Sequence, residues 1–157
     1  MEKYQECLEK AHYYIKACEH MLTVTYPAIN EPKILLTCLD HLFLCMTNTV
    51  GAILHFERKK RTIPPFHTTF ESKFNMFQLK IVPMHKIPKK DVTFIDKLQQ
   101  LITFHKQAPV EFTRDNQYIM CDTEYGVEKI NAPRIREFIL DAKQVLKKME
   151  QIIHHDV

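Results

Sequence analysis

Two cysteines and a histidine are spaced so that they share one face of a helix. Cys38, His41 and Cys45 lie at positions i, i+3 and i+7, and residues with this spacing project from the same side of an α-helix. Zinc takes thiolate and imidazole ligands, usually four at a time. A fourth ligand would have to come from another segment, such as Cys18 or His20. Because free cysteines commonly pack as small apolar side chains, we expect core packing and no bound metal, with the three residues as secondary metal candidates.

Positive charge is concentrated in residues 58–90. The whole chain has a net charge of +3, whereas this segment sets nine Lys and Arg against the single carboxylate of Glu71. Cations at this density can neutralise several phosphates and release their counterions. The sequence therefore predicts a surface for RNA or another polyanion, formed by Arg58, Lys59, Lys60, Arg61, Lys73, Lys80, Lys86, Lys89 and Lys90. The alternative is a solvated face without a ligand.

The composition argues against several classes of protein. The chain has 2 Gly, whereas loops that cradle nucleotide phosphates need several closely spaced glycines. Its one serine, Ser72, is not in a nucleophile elbow. The 5 cysteines include no C-x-x-C pair, which favours reduced thiols. The first residues are charged, with no apolar segment behind them. We therefore expect a cytoplasmic protein without a cofactor, and a binding protein rather than an enzyme.

Five segments carry apolar residues at helical spacing. The first runs from Tyr4 to Leu22 and is predicted to end before Pro27, because a residue that precedes proline is disfavoured in a helix. The second runs from Pro32 to Arg58. Its apolar residues lie on several faces, so we expect it to be a central helix buried in protein rather than a membrane span. Full burial is predicted for Leu39, Phe43, Met46 and Ile53.

Prolines and turn residues divide the rest of the chain. A third helix carries residues 66–81 and is predicted to end at Pro83, and a fourth is predicted to be capped by Asp91 or Thr93. Residues 110–130 then alternate in polarity around Asp115 and Asn116, which predicts short antiparallel strands. A last helix opens at residue 131 or 132. The predicted fold is one mainly α domain over residues 1–157, a bundle of about five helices with a small β-hairpin or meander before the last helix.

Arg61 and His67 are separated by five residues. This Arg-x5-His pattern, within a compact helical bundle, resembles the HEPN ribonucleases. The resemblance implies that the pair meets across a homodimer interface, where Arg61 would steady an RNA phosphate and His67 would act in cleavage. The chain is also similar to short archaeal helical proteins, a likeness that implies no function.

Three functions follow from these observations. The first is a non-enzymatic binding module that contacts RNA or an acidic protein through residues 58–90, with no membrane partner. The second is a HEPN-like ribonuclease or a degenerate relative of one, with Arg61 and His67 as catalytic candidates. The third is a protein-interaction subunit with no nucleic-acid role. Assembly into a homodimer is compatible with each of them.

Overall fold

Five continuous helices and a three-stranded sheet make up the fold. The computed structural model describes residues 1–156. The helical segments, in chain order, are α1 (Lys3–His20), π1 (Met21–Thr25), α2 (Tyr26–Ile29), α3 (Ile34–Lys59), α4 (Phe70–Met76), π2 (Phe77–Ile81), α5 (Val82–His85), α6 (Lys89–Gln107) and α7 (Ala132–Asp156). The segments π1 and π2 are π-helical, and they join their α-helical neighbours without a break. The predicted mainly α bundle is confirmed.

Helix α3 is the centre of the bundle, as its apolar pattern predicts. It packs against α1, α4, α6 and α7. Among residues 1–156 it is the one helix long and apolar enough to cross a membrane, yet 56% of its most apolar window is buried inside the bundle. Leu39, Met46 and Ile53 are fully buried. The prediction for Phe43 is wrong, because its ring lies at the edge of the core and packs against Phe70 with 4.8 Å between centroids.

Two prolines that were predicted to end helices lie inside them. Helix α1 continues through π1 to Ile29 and includes Pro27, and α4 continues through π2 to His85 and includes Pro83. In each case the N–H of the residue before proline donates to the carbonyl five residues back. The wider π turn changes the hydrogen-bond register just before the proline, where a regular α turn would bring its ring against the carbonyl four residues back.

Two helix starts also differ from the sequence prediction. Helix α4 begins at Phe70, where the Thr69 hydroxyl accepts the Ser72 N–H at 3.2 Å, so Phe66 lies outside the helix. Helix α6 begins at Lys89, two residues before Asp91. Asp91 is therefore not a cap. Its carboxylate is buried and pairs with Lys148 on α7 at 2.9 Å.

The sheet is an antiparallel meander in the order β1 (Val110–Arg114), β2 (Gln117–Cys121), β3 (Val127–Ile130). Asp115 and Asn116 form the first turn, with φ of 51° and 60°, the left-handed pair that a two-residue hairpin needs. Alternation puts Tyr118, Met120 and Ile130 into the main core. The predicted meander before the last helix is confirmed.

Candidate polyanion-binding site

A basic cavity of about 350 Å³ lies where the start of α1 meets the end of α3. Tyr4 holds the two helices together, because its buried ring packs edge-on against Phe56 with 5.2 Å between centroids. The N-terminal end of α1 adds the positive end of its helix dipole to this side of the molecule. The cavity is lined by Glu2, Lys3, Tyr4, His55, Arg58, Lys59 and Arg61.

Arg61 occupies a position that glycine usually fills. Helix α3 ends in a Schellman motif, in which the Thr62 N–H donates to the Glu57 carbonyl at 3.1 Å and the Arg61 N–H donates to the Arg58 carbonyl at 3.0 Å. The motif requires a left-handed residue, and Arg61 has φ of 60°. A side chain in this conformation costs about 1 kcal/mol relative to glycine. The arginine is therefore kept at this position against the local backbone preference.

The consecutive cations Lys59 and Lys60 go to different sides of α3. Lys59 lines the basic cavity, with its ammonium 3.7 Å from a Glu2 carboxylate oxygen and 5.6 Å from the centre of the Tyr4 ring. The Lys60 ammonium lies 3.3 Å from Asp156 and 3.7 Å from the buried carboxylate of Glu57. Lys60 is thus neutralised by its neighbours, whereas Arg58, Lys59 and Arg61 face the cavity.

His55 completes the cavity wall as an imidazole surrounded by cations. Burial lowers the pKa of His55, and the positive charges of Lys73 and Lys3 lower it further. Lys73 lies beside α3, where its ammonium would be 3.8 Å from a Cβ added to Gly51. The lysine charges thus add to burial in disfavouring a proton on His55, and the same positive charges favour a bound anion.

The remaining cations of residues 58–90 lie outside the basic cavity. Lys80 and Lys89 are exposed. Lys90 lines a small cleft with the carboxylates of Asp91 and Asp141. Lys86 lines a separate groove against α7. The basic segment thus contributes three of its nine cations to the cavity and distributes the others over the surface.

Sequence reasoning missed Lys3 and His55. His55 could have been found, because it lies three and four residues before Arg58 and Lys59 and so shares their helical face. No pattern in the sequence connects Lys3 to residues more than fifty positions away. Its place in the cavity depends on the packing of α1 against α3.

The two catalytic candidates differ in setting. Arg61 lines the basic cavity. His67 is exposed in the loop before α4, where its backbone N–H donates to the Ser72 hydroxyl at 3.1 Å. Within residues 1–156, His67 is not part of the cavity wall.

The face of α3 that carries Cys38, His41 and Cys45 is turned toward the interior of the bundle. Cys38 and Cys45 are fully buried, and the Cys18 thiol donates to the Cys38 carbonyl at 3.5 Å. The ring of His41 lies beside that of Tyr14, with 5.9 Å between centroids. Burial raises the pKa of Cys45 to about 12, whereas a hydrogen bond with Cys18 lowers the pKa of Cys38.

A different set of possible metal ligands converges at the end of α3. Atoms of Glu57, His85 and Asp156 lie within 4.8 Å of one another, the one such group within residues 1–156. The Lys60 ammonium already lies beside both carboxylates. A cation of the protein thus already pairs with two of the three possible ligands.

Comparisons with protein-family models, with curated proteins and with solved structures gave no match for this chain. The functional proposal therefore rests on the chemistry of the basic cavity.

Proposed function

We propose that this protein is a non-enzymatic module that binds RNA through the cations that line the basic cavity. The observation that carries the proposal is Arg61, an arginine held in a left-handed conformation at a glycine position with its side chain at the cavity. A residue kept against its backbone preference points to a role for its side chain.

The electrostatics suit a phosphate chain. Four cations line one cavity, and Glu2 offsets one of them through its contact with Lys59. The other three are Lys3, Arg58 and Arg61. Guanidinium groups can grip phosphate oxygens with two parallel hydrogen bonds. Contacts of this kind fix the position of the backbone and carry no sequence information. Binding should therefore tolerate many RNA sequences and weaken steeply with salt.

The decisive variant is Arg61→Gly. Glycine suits the left-handed position, so the variant should be more stable than the wild type by about 1 kcal/mol in denaturant unfolding. It should also bind a fluorescent single-stranded RNA about tenfold more weakly, which corresponds to about 1.4 kcal/mol. A gain in stability together with a loss of binding cannot be explained by damage to the fold.

Lys80→Ala is the matched control, because it removes an exposed cation of the same segment away from the cavity. It should leave RNA affinity close to that of the wild type. The charge reversal Arg58→Glu with Lys59→Glu should weaken binding further and make the salt dependence shallower. Lys60 is left intact because its ammonium neutralises Glu57. If the wild-type protein binds neither RNA nor heparin at low salt, the proposal is wrong.

The same preparations separate binding from cleavage. A binding module leaves the RNA intact during the titration. Cleavage that is lost in His67→Ala would replace the binding proposal with a ribonuclease that uses Arg61 and His67.

A further inference from the structure

A second groove lies on the other side of the end of α3, between the α5–α6 junction and α7. Its volume is about 450 Å³, within the range of small-molecule sites. Its titratable lining residues are all basic, and its apolar lining comes from both walls. One wall consists of His85, Lys86, Ile87 and Pro88, and the other of Lys148, Gln151, Ile152 and His155. We call it the α7 groove.

Lys86, like Arg61, is a long cationic residue in the left-handed conformation at the end of a helix. It caps α5 in the left-handed conformation, with φ of 54°, and the N–H of the next residue donates to the Val82 carbonyl at 3.0 Å. The equivalent cap after α2 is Asn30, with φ of 57°. Asparagine tolerates this conformation, whereas a long side chain such as lysine does so at a cost. The two equivalent caps therefore differ: the cap away from the α7 groove is an asparagine, and the cap at the groove is a lysine.

His85 is fixed in the groove wall by a buried carboxylate. Its Nε2 lies 2.8 Å from Oε1 of Glu57, and the Glu57 side chain has no solvent exposure. The Thr62 hydroxyl donates to the other oxygen of Glu57 at 2.5 Å. With Nε2 engaged, Nδ1 is the ring nitrogen left for a ligand. A carboxylate held in this way orients the imidazole before any ligand arrives.

Lys148 is positioned in a similar way from the opposite wall. Its ammonium lies 2.9 Å from the Asp91 carboxylate, of which only 5% of the side chain is exposed. Asp91 offsets this one cation and holds it at the groove. Lys86 is an exposed cation, and His155 adds a second imidazole from the last turn of α7. The groove therefore presents two side chains oriented by buried carboxylates, His85 and Lys148, together with the cation of Lys86 and the imidazole of His155.

We propose that the α7 groove binds a small phosphomonoester that carries an apolar ring. The phosphate is held between Lys86 and Lys148 with hydrogen bonds from the two histidines, and the ring packs against Pro88 and Ile152. Lys86 supplies a positive charge for the phosphate, and Lys148, whose charge Asp91 partly offsets, donates ammonium hydrogen bonds to it. The proposal is independent of RNA binding, because the residues that line the α7 groove and those that line the basic cavity do not overlap.

Phenyl phosphate is the minimal probe, and phenol and inorganic phosphate are its two halves. In an NMR titration of the full chain, phenyl phosphate should shift the imidazole signals of His85 and His155. Its affinity should be at least about tenfold higher than that of either half. If phenyl phosphate leaves both histidines unshifted at millimolar concentration, the proposal is wrong. If inorganic phosphate binds equally well, the ring contact is wrong and the ligand class is overturned.

Lys86→Gly is the test variant, because glycine suits the left-handed position and the fold should be kept or stabilised. It should weaken phenyl phosphate binding at least about tenfold and leave RNA affinity unchanged. Arg61→Gly should show the reverse pattern. If Arg61→Gly abolishes phenyl phosphate binding and Lys86→Gly does not, the probe occupies the basic cavity and the α7 groove is not its site. Failure of the groove thus remains distinct from failure of RNA binding.

Discussion

At the scale of single residues, protonation of His55 makes the charge of the basic cavity depend on pH. Burial, followed by the charges of Lys73 and Lys3, lowers its pKa below the ordinary value of 6.5. Below that value the unfolded chain binds a proton that the folded chain resists. The contribution of His55 to stability is therefore present above pH 6.5 and is lost as the pH falls. A phosphate bound in the cavity would offset the part of this shift that the lysine charges cause, and would so favour protonation of His55.

This linkage predicts that RNA affinity increases as the pH falls from about 8 to about 6, because binding takes up a proton at His55. The other charged groups that face it are the cations and the Glu2 carboxylate of the cavity, together with Lys73. Fluorescence anisotropy of a labelled RNA measures the effect. His55→Gln should bind with a flatter pH profile. An equally steep profile in this variant would assign the proton to another histidine.

At the scale of elements, the α1–π1–α2 and α4–π2–α5 helices use the same construction. Each has a five-residue π segment, then a residue followed by proline, and then a left-handed cap. The N–H of Tyr26 donates to Met21, and that of Val82 donates to Phe77. The π turn is a one-residue expansion that carries the helix past a proline. The π turn also fixes the positions of the two left-handed caps that follow, Asn30 after α2 and Lys86 after α5.

Deletion of Val24, an exposed residue of π1, should restore a regular α turn and bring the Pro27 ring against the carbonyl of Leu22, which the deletion places four residues before the proline. The expected loss of stability is about 3 kcal/mol. In a Pro27→Ala background the same deletion should be tolerated. The double-mutant cycle in denaturant unfolding should therefore give a coupling of about 2 kcal/mol or more. A coupling near zero would show that the π turn does not exist to accommodate the proline.

At the scale of the whole molecule, α3 supplies the centre of the core and the end that divides the two basic sites. Its buried side chains meet four other helices. At its end, Lys59 faces the basic cavity, while Glu57 fixes His85 at the α7 groove. Any loosening of α3 in the bundle would disturb both sites together.

Leu39→Ala should lower the free energy of unfolding by about 2–5 kcal/mol, through lost burial and a cavity among several helices. Leu39 is 1% exposed, whereas Leu44 on the same helix is 37% exposed. Leu44→Ala is therefore the control, and it should cost much less in the same denaturant titration. Equal losses for the two variants would show that Leu39 does not lie in the core.

Local sequence signals specify the helices, the hairpin and the segment in which positive charge is concentrated. Apolar spacing identifies the five helices, and Asp115 and Asn116 identify the hairpin turn, because these signals act between residues close in the chain. The sequence predicts helix ends at Pro27 and Pro83, and both predictions are wrong. The rule that proline ends a helix assumes a regular α turn before it. In this chain a π turn precedes each of these prolines, and the helix continues past it.

Which charges act together depends on how the helices pack in three dimensions. Arg58, Lys59 and Arg61 were predicted as part of the site, but Lys3 joins them solely because Tyr4 packs the start of α1 against the end of α3. Lys60 was predicted with them and instead neutralises Glu57. Periodicity shows that a residue is on the surface, but it does not show which distant carboxylate or cation it will meet. That meeting depends on how the helices pack.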